Sequence, residues 1–152
     1  MNRTRLAMVL AALLSLGSAQ TVQAGPGRSL DDRPAIARTA LDFEESWYEG
    51  DAERMARALH PAFIMRHVGT DPASGKSVLD QSWTAQELIA FTRVGRGKVP
   101  PGRRRHDITV LGVFNNAATA QIVAWYGVDF LQLAKWNGRW VVVSVLWGKN
   151  PS

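Results

Sequence analysis

Four side chains of this sequence are suited to acid–base chemistry and sit in apolar surroundings: Tyr48, His60, His67 and Asp129. A base and a hydrogen-bond donor enclosed in an apolar pocket have their pKa values displaced by desolvation toward useful ranges. His60 and Asp129 are the candidate catalytic pair, with His67 as an alternative base and Asp129 as orienter or acid. Asp129 lies in "WYGVDFLQL", where a carboxylate is costly unless paired or hydrated. On a strand, Asp129, Leu131 and Leu133 share one face and Phe130 and Gln132 the other. If the leucines point inward, Asp129 lines a cavity; otherwise it sits at an open rim or pairs with an arginine. His60 follows Ala56 by four residues, which places it at the end of a helix, bonding a carbonyl or edging a pocket. His67 alternates with Arg66, facing either solvent or the pocket.

Six tryptophans are many for 152 residues. Most belong to core or dimer contacts, but one or two lining a pocket would stack on a flat, aromatic ligand. Trp47, Tyr48, His60, Phe91, Trp125 and Asp129 are the candidate ligand-binding residues. Cysteine is absent and the three histidines form no HxH or HExxH pattern, so no metal site and no cofactor are expected.

Three helices are expected to position these groups. Asp31 or Asp32 can cap the first and Pro34 suits its first turn. Ile36, Ala40, Phe43 and Trp47 form its apolar stripe, with Ala37, Leu41 and Tyr48 beside it; the acids Asp42, Glu44, Glu45 and Glu49 occupy much of the remainder. Gly50 ends it and Asp51 caps a short second helix, buried through Ala52, Met55, Ala56 and Leu59 and stopped by Pro61. "AFIMRHV" is a short strand, and the turn-rich residues 69–82 form a hairpin or loop. Thr84 and Glu87 form a capping box for the third helix, whose face is Ala85, Leu88, Ile89 and Thr92. The rest is rich in Val, Ile, Thr and aromatics, with hairpin turns at Asn115-Asn116 and Asn137-Gly138. The order gives an α+β fold, with helices gathered on one face of a curved antiparallel meander.

The first 24 residues have the order of a secretory signal peptide: Arg3 and Arg5, an apolar run from Leu6 to Ala19, and small residues at Val22 and Ala24. Cleavage near Ala24 would leave a flexible leader over 25–34 and a single domain over 35–149, periplasmic or secreted, with no stable membrane insertion. Of eighteen Lys and Arg, two leave with the signal, so sixteen face thirteen acids and the charge falls from +5 to about +3. Six of these cations lie between Arg93 and Arg105 with no acid and no interleaved aromatic. That composition reads as a solvated loop, or as a contact for an anionic ligand or lipid headgroup, and nucleic acid is not an expected partner.

The stretches "ALDFEESWYEGDAERMARALHPAFIMR", "TAQELIAFTRVGRGK" and "VDFLQLAKWNGRWVVVSVLW" together resemble the NTF2-like superfamily. More narrowly they are similar to the bacterial group labelled "putative lumazine-binding". The resemblance runs from about Ala35 to Trp147. It implies a cone, with a strongly bent antiparallel sheet wrapped round three N-terminal helices, a pocket at the open end, and a homodimer through the sheet. It implies little chemistry, because the superfamily places isomerases, dehydratases, binding proteins and adaptors on one cone. The ketosteroid-isomerase-like arrangement has a donor Tyr on the first helix, a base carboxylate soon after the second, and an acid on a late strand. Tyr48 and Asp129 match its ends, but no Asp or Glu lies between Ala56 and Thr70, where His60 and His67 stand instead. The leading reading is an exported protein that binds a small, flat or apolar molecule without an established reaction. The alternatives are a cofactor-free lyase or isomerase with a His base and Asp129, and a protein–protein adaptor through the sheet face.

Overall fold

The structure, a computed structural model, describes residues 29–150; the signal segment expected over 1–24 lies outside the described residues. Helix α1 (Ser29–Glu49) leads, beginning upstream of Pro34 within the stretch read as a leader. Its buried residues Ile36, Ala40, Phe43, Glu44 and Tyr48 recur at helical spacing. Gly50 ends it at φ +75°, donating to Ser46 O across 2.9 Å, a conformation that costs glycine nothing. Asp51 then accepts from Arg54 N at 2.9 Å and caps α2 (Ala52–Ala58). The Arg54 side chain clamps the two helices by reaching Asp42 at 2.7 Å, Glu45 at 2.5 Å and Glu49 at 3.3 Å.

Helix α2 stops before His60, and strand β1 (Leu59–Thr70) starts there. Pro61 disfavours the helical conformation of the residue before it, so His60 becomes extended. The missing N–H of Pro61 falls in the gap of the β1–β6 ladder between Leu59 and Ile64. β1 and β2 (Ser77–Thr84) form a hairpin, and Thr84 both ends β2 and caps α3 (Ala85–Arg93) through a complete capping box with Glu87. A loop with one 3-10 turn (Pro101–Arg103) leads to the meander β3 (His106–Phe114), β4 (Ala117–Ala124), β5 (Gly127–Trp136) and β6 (Arg139–Lys149). Positive φ at Asn115, Asn137 and Gly138 makes the two expected tight turns.

The six strands lie in the order β2-β1-β6-β5-β4-β3. The sheet is mixed, since β1 runs parallel to β6 while every other neighbour is antiparallel. Alternation of side chains assigns faces but not strand direction, so the expected wholly antiparallel sheet needs this correction. Register shifts after Arg66, Val110 and Gln132 bend the strands. The inner face of the curled sheet meets the helices in a core that includes Ile36, Phe43, Met55, Phe63, Leu88, Ile122, Leu131 and Val142.

Candidate functional site

Between the helices and the bent sheet lies a cavity of about 220 Å³. Phe43 and Trp47 of α1, Met55 of α2, Met65 of β1, Trp83 of β2 and Leu88 of α3 form one side. Trp125 and Tyr126, at the β4–β5 corner, and Trp147 of β6 form the other. Arg96, Gly97, Lys98 and Val99 of the basic loop complete the wall. Four indoles therefore face one small volume, packed against each other and against Tyr126. Trp47 and Trp83 are 6.3 Å apart, Trp125 and Tyr126 6.1 Å, and Tyr126 and Trp147 5.6 Å between ring centroids.

Behind Tyr126 two carboxyl groups are wholly buried. Glu44 projects from the inner face of α1, and Asp129 from the inner face of β5 beside Leu131 and Leu133. The Tyr126 hydroxyl is 2.7 Å from Asp129 Oδ2 and 3.2 Å from Glu44 Oε2. A phenol has one proton to give. Given to Asp129, the nearer acceptor, it leaves the Glu44 contact to be completed by a proton on Glu44. The electrostatics agree with that assignment. Burial, and then the charge of Asp129, push Glu44 up to about 8 against the opposing pull of the Tyr48 and Tyr126 hydroxyls. Burial raises Asp129 to about 7, opposed by its Tyr126 bond. Two unshielded buried charges so close together are disfavoured, so the pair holds on to a proton well above the usual carboxylate range. Burial also raises Tyr126, followed by the charges of Asp129 and Glu44, so it remains a donor. Glu44 Oε1, Asp129 Oδ1 and the Trp147 indole N–H are buried without hydrogen-bond partners among the described residues.

The structure separates the candidate residues into groups. Trp47 and Trp125 line the cavity. Tyr48 lies behind it, its hydroxyl donating to Arg105 O at 2.6 Å and accepting from Trp125 N at 3.4 Å, which ties α1 to the basic loop. Burial, and then the charge of Glu44, raise its pKa. Phe91 stands outside the lining, edge-on to Trp83 at 5.3 Å. His60 stands outside the cavity lining; its ring meets that of Trp136 edge-on at 4.8 Å and its Nδ1 accepts from Ala62 N at 3.0 Å. His60 and Asp129 share no cavity, because the extended conformation imposed by Pro61 aims His60 away. His67 is buried, but its Nδ1 is 2.6 Å from Asp80 Oδ1. Trp147 is the register partner of both His67 on β1 and Asp129 on β5, and so stands between them. Its ring packs 4.3 Å from His67. The expected pairing of a histidine base with Asp129 is therefore not assembled.

Sequence reasoning missed Glu44 and Tyr126. Glu44 had a signal: it stands four residues after Ala40 and four before Tyr48, on the buried stripe itself. The basic run is also more than a solvated loop. Arg104 pairs with Glu49 at 3.0 Å and Arg105 with Asp107 at 2.8 Å, while Arg96, Gly97 and Lys98 form cavity wall. Among the described residues, no group of three or more His, Cys, Asp or Glu side chains is placed to hold a metal ion.

Residues 31–148 match the family described as "Putative lumazine-binding". The chain belongs to that family. Its fold is shared by solved structures of low sequence identity. An NTF2-like protein of unknown function from Shewanella baltica OS155 is 18% identical, with a TM-score of 0.59 over 84% of this chain and 100% of the other. One from Methylobacillus flagellatus KT is 19% identical, with a TM-score of 0.63 over 81% of this chain and 95% of the other. A ketosteroid isomerase-like protein from Erwinia carotovora atroseptica SCRI1043 is 10% identical, with a TM-score of 0.54 over 80% of this chain and 98% of the other. No curated protein matches the chain. These likenesses agree with the NTF2-like, α+β architecture of the family member described above.

Proposed function

We propose that this protein binds a small, flat, largely apolar molecule in the tryptophan-lined cavity. The observation that carries the reading is the cavity itself: four indoles and three methionine or leucine side chains around about 220 Å³. Preformed apolar pockets with a few polar groups are the usual form of small-molecule sites. Aromatic walls favour a planar guest by offset stacking and edge contacts. The volume suits a molecule of one or two rings, since a cavity of about 150 Å³ already holds benzene. A panel of one- and two-ring compounds, followed by thermal shift and tryptophan fluorescence, tests this. Binding raises the melting temperature and quenches emission; a panel that moves neither contradicts the reading.

The signal-like leader and Ala24 support a mature chain that starts near Gly25 and works outside the cytoplasm. Intact mass of the protein recovered from an exporting host tests this, and a full-length mass in the soluble cytoplasmic fraction contradicts it.

The outer face of the sheet supports a second copy as partner. Phe130 pairs with Leu146 and Val68 with Leu79, and all four side chains are exposed there. Apolar side chains exposed on one sheet face favour association through it. Light scattering at micromolar concentration would give twice the monomer mass, and a monomer mass contradicts it.

A further inference from the structure

We infer that the guest of this cavity is an aromatic anion, its ring among the indoles and its anionic group at the mouth against Arg96 and Lys98. This rests on the proposed binding function and specifies the class of ligand. The basic loop over residues 94–105 divides its cations sharply. Arg104 and Arg105 are matched to carboxylates, Glu49 and Asp107. Arg96, Lys98 and Arg103 have no carboxylate partner among the described residues, and two of these three form part of the cavity wall.

Their placement is built into the chain. A Cβ on Gly97 would lie 2.2 Å from the Trp47 ring, so the backbone between the two cations lies flush on an indole that lines the cavity. That contact seats Arg96 and Lys98 in the cavity wall on either side of it, with Lys98 Cε and Nζ lying over Gly50. The Arg96 guanidinium lies 4.4 Å from the Phe91 centroid and 6.0 Å from that of Trp83. Stacking holds the planar fork in one orientation while leaving its edge N–H groups free, the arrangement that suits carboxylate or phosphate. Arg103 lies 5.0 Å from the centroid of Trp125, so a third cation flanks the lining from the other side. Among the described residues the wholly buried carboxyl groups, Glu44 and Asp129, lie behind Tyr126 and not in the wall. The apolar volume thus has positive charge in its wall and keeps negative charge at its back.

The test compares 2-naphthoate with 2-naphthalenemethanol, a neutral compound of nearly the same shape, by quenching of the protein's tryptophan emission at low and high salt. The expected result is that 2-naphthoate binds roughly tenfold more tightly at low salt, and that the advantage shrinks as salt is added. Arg96→Gln with Lys98→Gln should abolish the difference in affinity between the two probes and its dependence on salt. Arg66→Gln, an exposed cation on the outer sheet face, should change neither. Equal affinity for the two probes, or an advantage that survives the double substitution, overturns the anion inference and leaves the binding reading intact. Quenching by neither probe at millimolar concentration overturns both.

Discussion

The Tyr126 hydroxyl lies 2.7 Å from Asp129 Oδ2, so the nearer of the two buried carboxyl groups accepts its hydrogen bond. Its remaining contact, 3.2 Å to Glu44, is then satisfied by a protonated Glu44. A strand acid, a corner phenol and a helix acid thus form one hydrogen-bonded chain behind an aromatic wall.

The chain of groups has a measurable cost that grows with pH. Glu44 is raised to about 8 and Asp129 to about 7 in the fold, while the unfolded groups ionise near 4. Above pH 4 the unfolded state loses protons that the native state keeps, so these two groups erode stability until pH passes their folded values. Glu44→Gln removes one of them. Its melting temperature should gain on that of the wild type between pH 4 and pH 8, by the equivalent of a few kcal/mol at most. Calorimetry across that range checks this; a difference independent of pH would mean that Glu44 ionises normally in the fold.

Tyr126→Phe keeps the ring against Trp147 and deletes the shared hydroxyl. Both carboxyl groups lose the hydroxyl they share, and each already has one buried oxygen without a hydrogen-bond partner among the described residues. The cost should be about 2–4 kcal/mol in urea unfolding, with an unchanged m-value. A loss below about 0.5 kcal/mol would place water at these oxygens in the hydroxyl's stead.

Gly97→Ala and Gly102→Ala separate packing from chain flexibility in the same loop. At Gly97 the new methyl strikes the Trp47 indole, whereas at Gly102 it meets nothing within 4 Å. The first should lose about 1–3 kcal/mol and shift tryptophan emission, while the second should be neutral or gain a few tenths. Equal effects would contradict the close seat of the loop on Trp47.

At α3, Thr84→Ala removes the acceptor of the Glu87 amide, 3.3 Å away, and one half of the capping box. About 1 kcal/mol should be lost. Urea denaturation measures it, and restoration by Thr84→Ser would assign the loss to the hydroxyl.

Local patterns carried much of this architecture. The corner at Gly50 and Asp51, the capping box at Thr84 and the turns at Asn115 and Asn137 were each legible, because a few consecutive residues decide them. The inward side of β5 followed from Asp129, Leu131 and Leu133 alternating with Phe130 and Gln132. The parallel pairing of β1 with β6 was not legible, since strand direction depends on where a distant segment closes the sheet. Glu44 reads as one of the acids filling the remainder of α1 beside its apolar stripe, although its spacing from Ala40 and Tyr48 places it inward. What makes an inward Glu44 tolerable is Tyr126, which reaches it only when the β4–β5 corner folds over α1. His60 was drawn toward the site by helical spacing that ends two residues earlier, and the same Pro61 that marks the corner turns it away.

The central claim is that the tryptophan-lined volume is the ligand site. Its most direct test is a calorimetric titration of the ring compound giving the largest thermal shift, into the wild type and into Met65→Trp, a substitution that fills the cavity from β1. Saturable one-site binding to the wild type and none to the filled variant, with its circular dichroism unchanged, is the predicted result. Equal binding to both proteins, or no binding to the wild type, would contradict the account.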